Sequence, residues 1–181
     1  MKTRFNNYFL SLSLILLIIS CTPETVLEDI IDKGDFTAKV NGKNFNADNA
    51  AIATEITIHS ISGIYSIGMI AADVINVGTK KAIALVMIGS DFDQLVAGKT
   101  FTEIIKNEIE GGGGGYSEDI TNNNVDIGTD IVESIFIKIT TIDKENKLIS
   151  GEFNFIAIDE DTNKKYTVTD GKFKDIHYTL N

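Results

Sequence analysis

The feature that most constrains this chain is a period of two in its apolar residues, which begins just after Gly34. Phe36, Ala38 and Val40 alternate with Thr37 and Lys39, and Asn41-Gly42 follows directly. A two-residue type I′ turn needs positive φ at both central residues, and Asn-Gly meets that need at the lowest steric cost. Pairing Val40 with Lys43 sets Ala38 opposite Phe45 and Phe36 opposite Ala47. Phe36, Ala38, Val40, Phe45 and Ala47 then share one face, and Thr37, Lys39, Asn44 and Asn46 share the other. Turn chemistry and hydrophobic pattern agree on one register, because a one-residue slip would turn the whole apolar set to solvent.

The same logic predicts a second hairpin. Ile135, Ile137 and Ile139 alternate with Phe136, Lys138 and Thr140, and the polar run 143–147 makes a turn. Pairing Ile142 with Leu148 places Ile137 opposite Phe153 and Ile135 opposite Phe155, apolar against apolar. Further strands are expected near 51–59, 63–71 and 82–89. Residues 82–88 are apolar on both parities, which predicts a central strand covered on both faces. Tyr166–Thr169 and Lys172–Tyr178 read as a last strand pair. A segment at 101–109, where Glu103 and Lys106 are spaced to pair, is the one helical candidate. The chain's single proline is Pro23, upstream of all these strands, and β-branched residues abound. The pattern predicts an all-β domain over 34–181, a single antiparallel β-sandwich or partly closed barrel.

Upstream of this domain the chain changes character. Lys2 and Arg4 precede an apolar run from Phe9 to Ile19 broken only by Ser11 and Ser13. That run is too short to span a bilayer as a helix, which takes about twenty residues, and it fits the apolar core of a secretory signal. The segment Leu17-Ile18-Ile19-Ser20-Cys21 resembles the lipobox of bacterial lipoproteins. The resemblance implies cleavage after residue 20, lipid on Cys21 and a tether over 21–33. It also implies a membrane partner reached through Cys21, in a cell envelope and most naturally at the outer membrane, with the periplasmic and surface faces both open. Three acyl chains exceed the two signals that stable anchoring requires.

Cys21 is the only cysteine. With its sulfur acylated, the mature chain has no disulfide, no thiolate nucleophile and no cysteine-ligated metal. The chain carries 16 basic and 26 acidic residues, a net charge of −10. Loss of a leader that holds Lys2, Arg4 and no acid takes the mature chain to −12. Such a surface repels phosphate backbones, which argues against a nucleic-acid partner.

Two stretches carry a family resemblance. Residues 36–47, FTAKVNGKNFNA, look like the opening of a β-domain of unknown function found in Bacteroidota lipoproteins. Residues 150–157, SGEFNFIA, followed by Asp170-Gly171-Lys172-Phe173, look like its ending. The resemblance implies an envelope β-domain and supplies no catalytic residues.

Catalytic motifs are sparse. His59 and His177 are the only histidines, and no G-x-S-x-G elbow accompanies them, so a Ser-His-Asp site has little to build on. The run from Asp159 to Asp170 has calcium-loop spacing, but Lys164 stands where the sharp turn needs glycine and Asp170 is shorter than the bidentate glutamate. It therefore reads as a polar hairpin turn, and no metal or other cofactor is expected. Asp91/Asp93 and Glu118/Asp119 are paired acids without the cleft geometry that glycoside hydrolysis demands. Gly111–Gly115 lack the lysine and hydroxyl of a phosphate loop. They read instead as the flexible opening of a long polar segment, 111–130. There Tyr116 is a candidate platform for a sugar, and Asn122, Asn123, Asn124 and Asp126 are candidate hydrogen-bonding partners. The sequence thus favours a non-catalytic binding or assembly module, with a glycan, peptide or protein partner. A small envelope hydrolase is the alternative.

Overall fold

The computed structural model describes residues 34–48, 51–58, 63–74, 80–105, 110–120, 129 and 131–181. The leader, Cys21 and the tether lie outside them. Eleven strands are described: β1 (Asp35–Val40), β2 (Lys43–Asn46), β3 (Ile52–Ile58), β4 (Tyr65–Asp73), β5 (Lys81–Gly89), β6 (Thr100–Phe101), β7 (Gly111–Ser117), β8 (Ile131–Asp143), β9 (Leu148–Asp159), β10 (Lys164–His177) and β11 (Thr179–Leu180). They form two sheets, one in the order β2-β1-β10-β9-β8-β6 and one in the order β11-β3-β4-β5-β7. The sheets do not close into a barrel, so the fold is a β-sandwich. All pairings are antiparallel except β11 with β3.

The first hairpin has the register its sequence dictates. Val40 pairs with Lys43 and Ala38 with Phe45, and the amide of Ala47 donates to the carbonyl of Phe36. Asn41 and Gly42 take φ of 49° and 78°, the left-handed pair that a type I′ turn requires. Asn41 does more than turn the chain. Its Oδ1 accepts the Thr167 amide at 2.8 Å and its own amide donates to the Thr167 carbonyl, which joins the turn to β10.

The second hairpin keeps the expected pairs Ile135–Phe155 and Ile137–Phe153 but shifts nearer the turn. A bulge between Ile139 and Thr141 advances the register by one, so Leu148 meets Asp143 and Ile142 meets Ile149. The expected Ile142–Leu148 pair is therefore wrong, because one unpaired residue absorbs the difference. The expected final strand pair is also corrected. Residues 164–177 are one strand, β10, interrupted by bulges at Asp170 and Asp175, whose φ values are 53° and 52°. The break expected between the two strands is a kink within a continuous ladder.

The middle strands fall at 52–58, 65–73 and 81–89, close to expectation. β5 is internal to its sheet but covered mainly on one side. Ile83, Leu85 and Met87 are buried, whereas Val86 is exposed. The helical candidate at 101–109 does not form over its described part. Phe101 pairs in β6, and Ile104 bridges Gly112.

The five glycines are the largest departure from expectation. They are not a flexible loop opening but strand β7, paired along β5 from Ile88–Gly111 to Ala84–Gly115. A Cβ at Gly114 would lie 2.5 Å from the Phe155 ring, and one at Gly112 would lie 3.2 Å from Ile135 and 3.3 Å from Phe101. Absent side chains let this edge of one sheet settle onto the aromatic core of the other. The same device recurs within the six-stranded sheet. Phe153 pairs with Gly171 and Phe173 with Gly151, and each ring occupies the space a Cβ on the opposite glycine would need. The two Gly-x-Phe runs are thus reciprocal halves of one packing unit, with Phe153 and Phe173 centroids 6.3 Å apart.

Candidate functional site

In β2, β4, β5, β7, β9 and β10 the inward-facing parity continues into charge at one end of the sandwich. Beyond Ala157 comes Asp159, and before Tyr166 comes Lys164. Beyond Ala71 comes Asp73, and before Ile83 comes Lys81. Beyond Tyr116 comes Glu118, and Lys43 stands opposite Val40. Cross-strand registers confirm that these meet at one end, since Asp159 pairs with Lys164, Asp73 with Lys81, and Tyr116 with Ile83. The result is a mouth between the sheets, rimmed by both signs of charge.

Two clefts open there, of about 210 Å³ and 300 Å³, and both are lined by Tyr116, Glu118 and Lys164. Lys43, Asn44 and Lys81 complete the first. Asp119, Asp159, Thr162 and Tyr166 belong to the second. The wall they share is an ordered cluster. Lys164 pairs with Glu118, and its ammonium sits 5.2 Å from the centroid of Tyr166, a cation–π distance. Tyr166 in turn packs on Tyr116 with centroids 4.9 Å apart at 57°. Lys43 and Lys81 add cations to the first cleft, and Asp119 and Asp159 add carboxylates to the second.

The electrostatics follow from this placement. Burial pushes the Tyr116 phenol up to about 12, with Glu118, Tyr166 and Asp73 adding to the shift. The Tyr166 phenol is also raised, by burial first and Glu118 second. The hydrogen bond that Lys164 donates to Glu118 raises the ammonium above its ordinary value. At neutral pH both phenols are therefore neutral donors, and the ammonium is held in its charged form.

The predicted site residues fare unevenly. Tyr116 does lie at a cleft, but on a strand and not on a loop tip, and it is 4% exposed. Its ring packs against Tyr166, so the expected loop position of Tyr116 is corrected to a buried strand position. The thin glycine strand beneath it is what draws Tyr116 into the sandwich. The amide of Tyr116 donates to the Thr129 hydroxyl at 3.0 Å, and the Ile120 amide donates to the Lys80 carbonyl. Asn122, Asn123, Asn124, Asp126, Cys21 and His59 lie outside the described residues. His177 is exposed at the end of β10. Asp91 caps a single 3-10 turn by accepting the Asp93 amide, and Asp159 closes the β9–β10 turn by accepting the Thr162 amide. The calcium-like run is thus a hairpin turn followed by strand. Among the described residues no three His, Cys, Asp or Glu side chains gather as metal ligands.

Sequence reasoning passed over Lys43, Lys81, Lys164 and Tyr166. The lysines carried a signal: each extends an apolar parity by one step into a residue that solvent should claim. The chain matches no protein-family model, no curated protein and no solved structure.

Proposed function

We propose that this chain is an envelope lipoprotein of the Bacteroidota type, held to the outer membrane by lipid on Cys21, whose β-sandwich is a non-catalytic binding module. The ligand is a short polar molecule with charges of both signs, such as a peptide, seated at the mouth. The observation that carries this reading is the pair of clefts around the Tyr116–Tyr166–Lys164–Glu118 cluster, one rimmed by lysines and the other by carboxylates. A charge-bearing rim costs desolvation and adds little to stability where it is exposed, so its concentration at one end points to recognition. The lipobox-like segment supports the anchor.

Thermal-shift measurements against short peptides test the ligand. A peptide that binds the folded state raises the melting temperature in proportion to RT ln(1 + [L]/Kd). The Lys164→Gln and Lys81→Gln variants should lose that rise while keeping the unliganded melting temperature. A rise that both variants retain would remove the mouth as the site. A second reading, the small hydrolase, draws on the grouping of Glu118, Asp119 and Asp159 about one cleft. Turnover of a bound peptide or glycan, abolished by Glu118→Gln, would favour it over the binding module.

A further inference from the structure

Ten of the described strand residues are aromatic, and nine of them are buried between the sheets; the exception is Phe136. Its neighbours Ile135 and Ile137 point inward, so alternation sends its ring to the outer face of the six-stranded sheet. Apart from Ile131, Ile156 and Ile158 toward one end, that face is polar. A register row crosses it through Thr37, Lys172, Glu152 and Lys138, and Asn154 stands directly opposite Phe136. The core gains nothing from an aromatic ring in this place, and a half-exposed one forgoes most of its burial free energy.

The ring lies in a groove. The β10 bulge at Asp170 sets two successive residues outward, Thr169 and Asp170, against the single Asn154 of β9. The kinked strand leaves an open hollow of about 570 Å³, lined on its outer side by Thr37, Phe136, Glu152, Asn154, Asp170 and Lys172. Its size falls within the roughly 300–1,000 Å³ of small-molecule sites. Both carboxylates of the lining are paired, Asp170 with Lys39 at 2.8 Å and Glu152 with Lys138 at 3.7 Å, and Lys172 is a further cation at the groove.

We propose that this groove binds a neutral oligosaccharide. One pyranose ring lays its C–H face on Phe136, and its hydroxyls, each donor and acceptor, meet the acceptors of Glu152 and Asp170, the ammonium of Lys172 and the two-way amide of Asn154. An aromatic face beside mixed donors and acceptors suits a molecule with one apolar face and a hydroxylated edge. A cationic ligand would find both carboxylates of the lining already engaged. The site is separate from the mouth, because its residues occupy the opposite parity of the same strands, and it stands whether or not the mouth binds a peptide.

The test is calorimetric titration of the full chain, held in a detergent without a sugar head group, with hexaoses of α-1,4-glucose, β-1,4-glucose, β-1,4-xylose, β-1,4-mannose and β-1,4-N-acetylglucosamine. At least one should bind. Phe136→Ala should weaken it by about tenfold or more and Phe136→Tyr by less than about threefold. Asn154→Ala, a change at an exposed side chain, should weaken it without altering the fold, and Lys164→Gln at the mouth should leave it unchanged. Silence from all five sugars, or binding that survives both Phe136→Ala and Asn154→Ala, overturns the proposal.

Discussion

At the scale of single residues, the absence of a side chain is as specific as its presence. Gly114 sits under the Phe155 ring with no room for a Cβ. Gly114→Ala should therefore cost about 1–3 kcal/mol, the range for overpacking a filled core. Gly68 is a strand glycine whose Cβ would meet nothing within 4 Å. Gly68→Ala should stabilise by about 0.4–1 kcal/mol, by narrowing the unfolded ensemble. Urea unfolding of the two variants reads both signs, and equal effects would show that the close approach of β7 is wrong. Tyrosine ionisation gives an independent check on burial. The phenols of Tyr65 and Tyr116 are pushed from 10.0 up to about 12, in each case mainly by desolvation. The unfolded chain releases these protons near pH 10, and the folded chain holds them longer. Both contributions to stability are thus complete below pH 10 and fade as pH rises toward 12. Ultraviolet titration should place Tyr65 and Tyr116 among the late phenols, and Tyr65→Phe should remove one late step and flatten the loss of stability.

At the scale of elements, alternation was the legible signal and its interruptions were not. β1 and β2 could be registered from Asn41-Gly42 and the parity of Phe36 and Phe45 alone, because local turn geometry and the buried face demand the same answer. β7 could not. Glycine has no parity to read, and conformational freedom in an isolated segment gives no hint of two sheets needing a thin strand between them. The bulges at Thr140, Asp170 and Asp175 were hidden for a related reason: each adds one unpaired residue that only the partner strand reveals. Hydrogen exchange tests the glycine strand. The amides that bond to β5 should be protected to a degree comparable with those of β5 itself. Exchange at the rate of an open loop would restore the flexible reading.

At the scale of the whole molecule, ion pairs gather on one outer face. The six-stranded sheet carries paired charges: Lys39 with Asp170, Lys138 with Glu152, and Lys165 with Glu133. On the five-stranded sheet Ile70 and Val86 are exposed, and Ala84 and Ile88 are half-buried. Between these faces the core could be read from sequence, because burial and parity coincide. The mouth could not be assembled, since Lys43, Asp73, Lys81, Glu118, Asp159 and Lys164 are scattered through the chain, and only the stacking of the sheets makes them neighbours. Tyr116, expected on a loop as a platform for a sugar, lies on a strand and lines a cleft.

The parallel pairing of β11 with β3 has a consequence for the chain's behaviour in crowded solution. Thr179 and Leu180 pair with Glu55 and Ile56. Asn181 donates its amide to the Ile56 carbonyl at 3.0 Å, accepts the Ile58 amide, and reaches Glu55 through its side chain. Three residues thus act as a selvedge, finishing a border whose donors and acceptors would otherwise be open to any passing strand. Trimming them should leave the melting transition nearly in place and turn the protein into a self-adhering one, visible as concentration-dependent light scattering; a trimmed chain that stays monodisperse would mean the hem is not what keeps neighbouring copies apart.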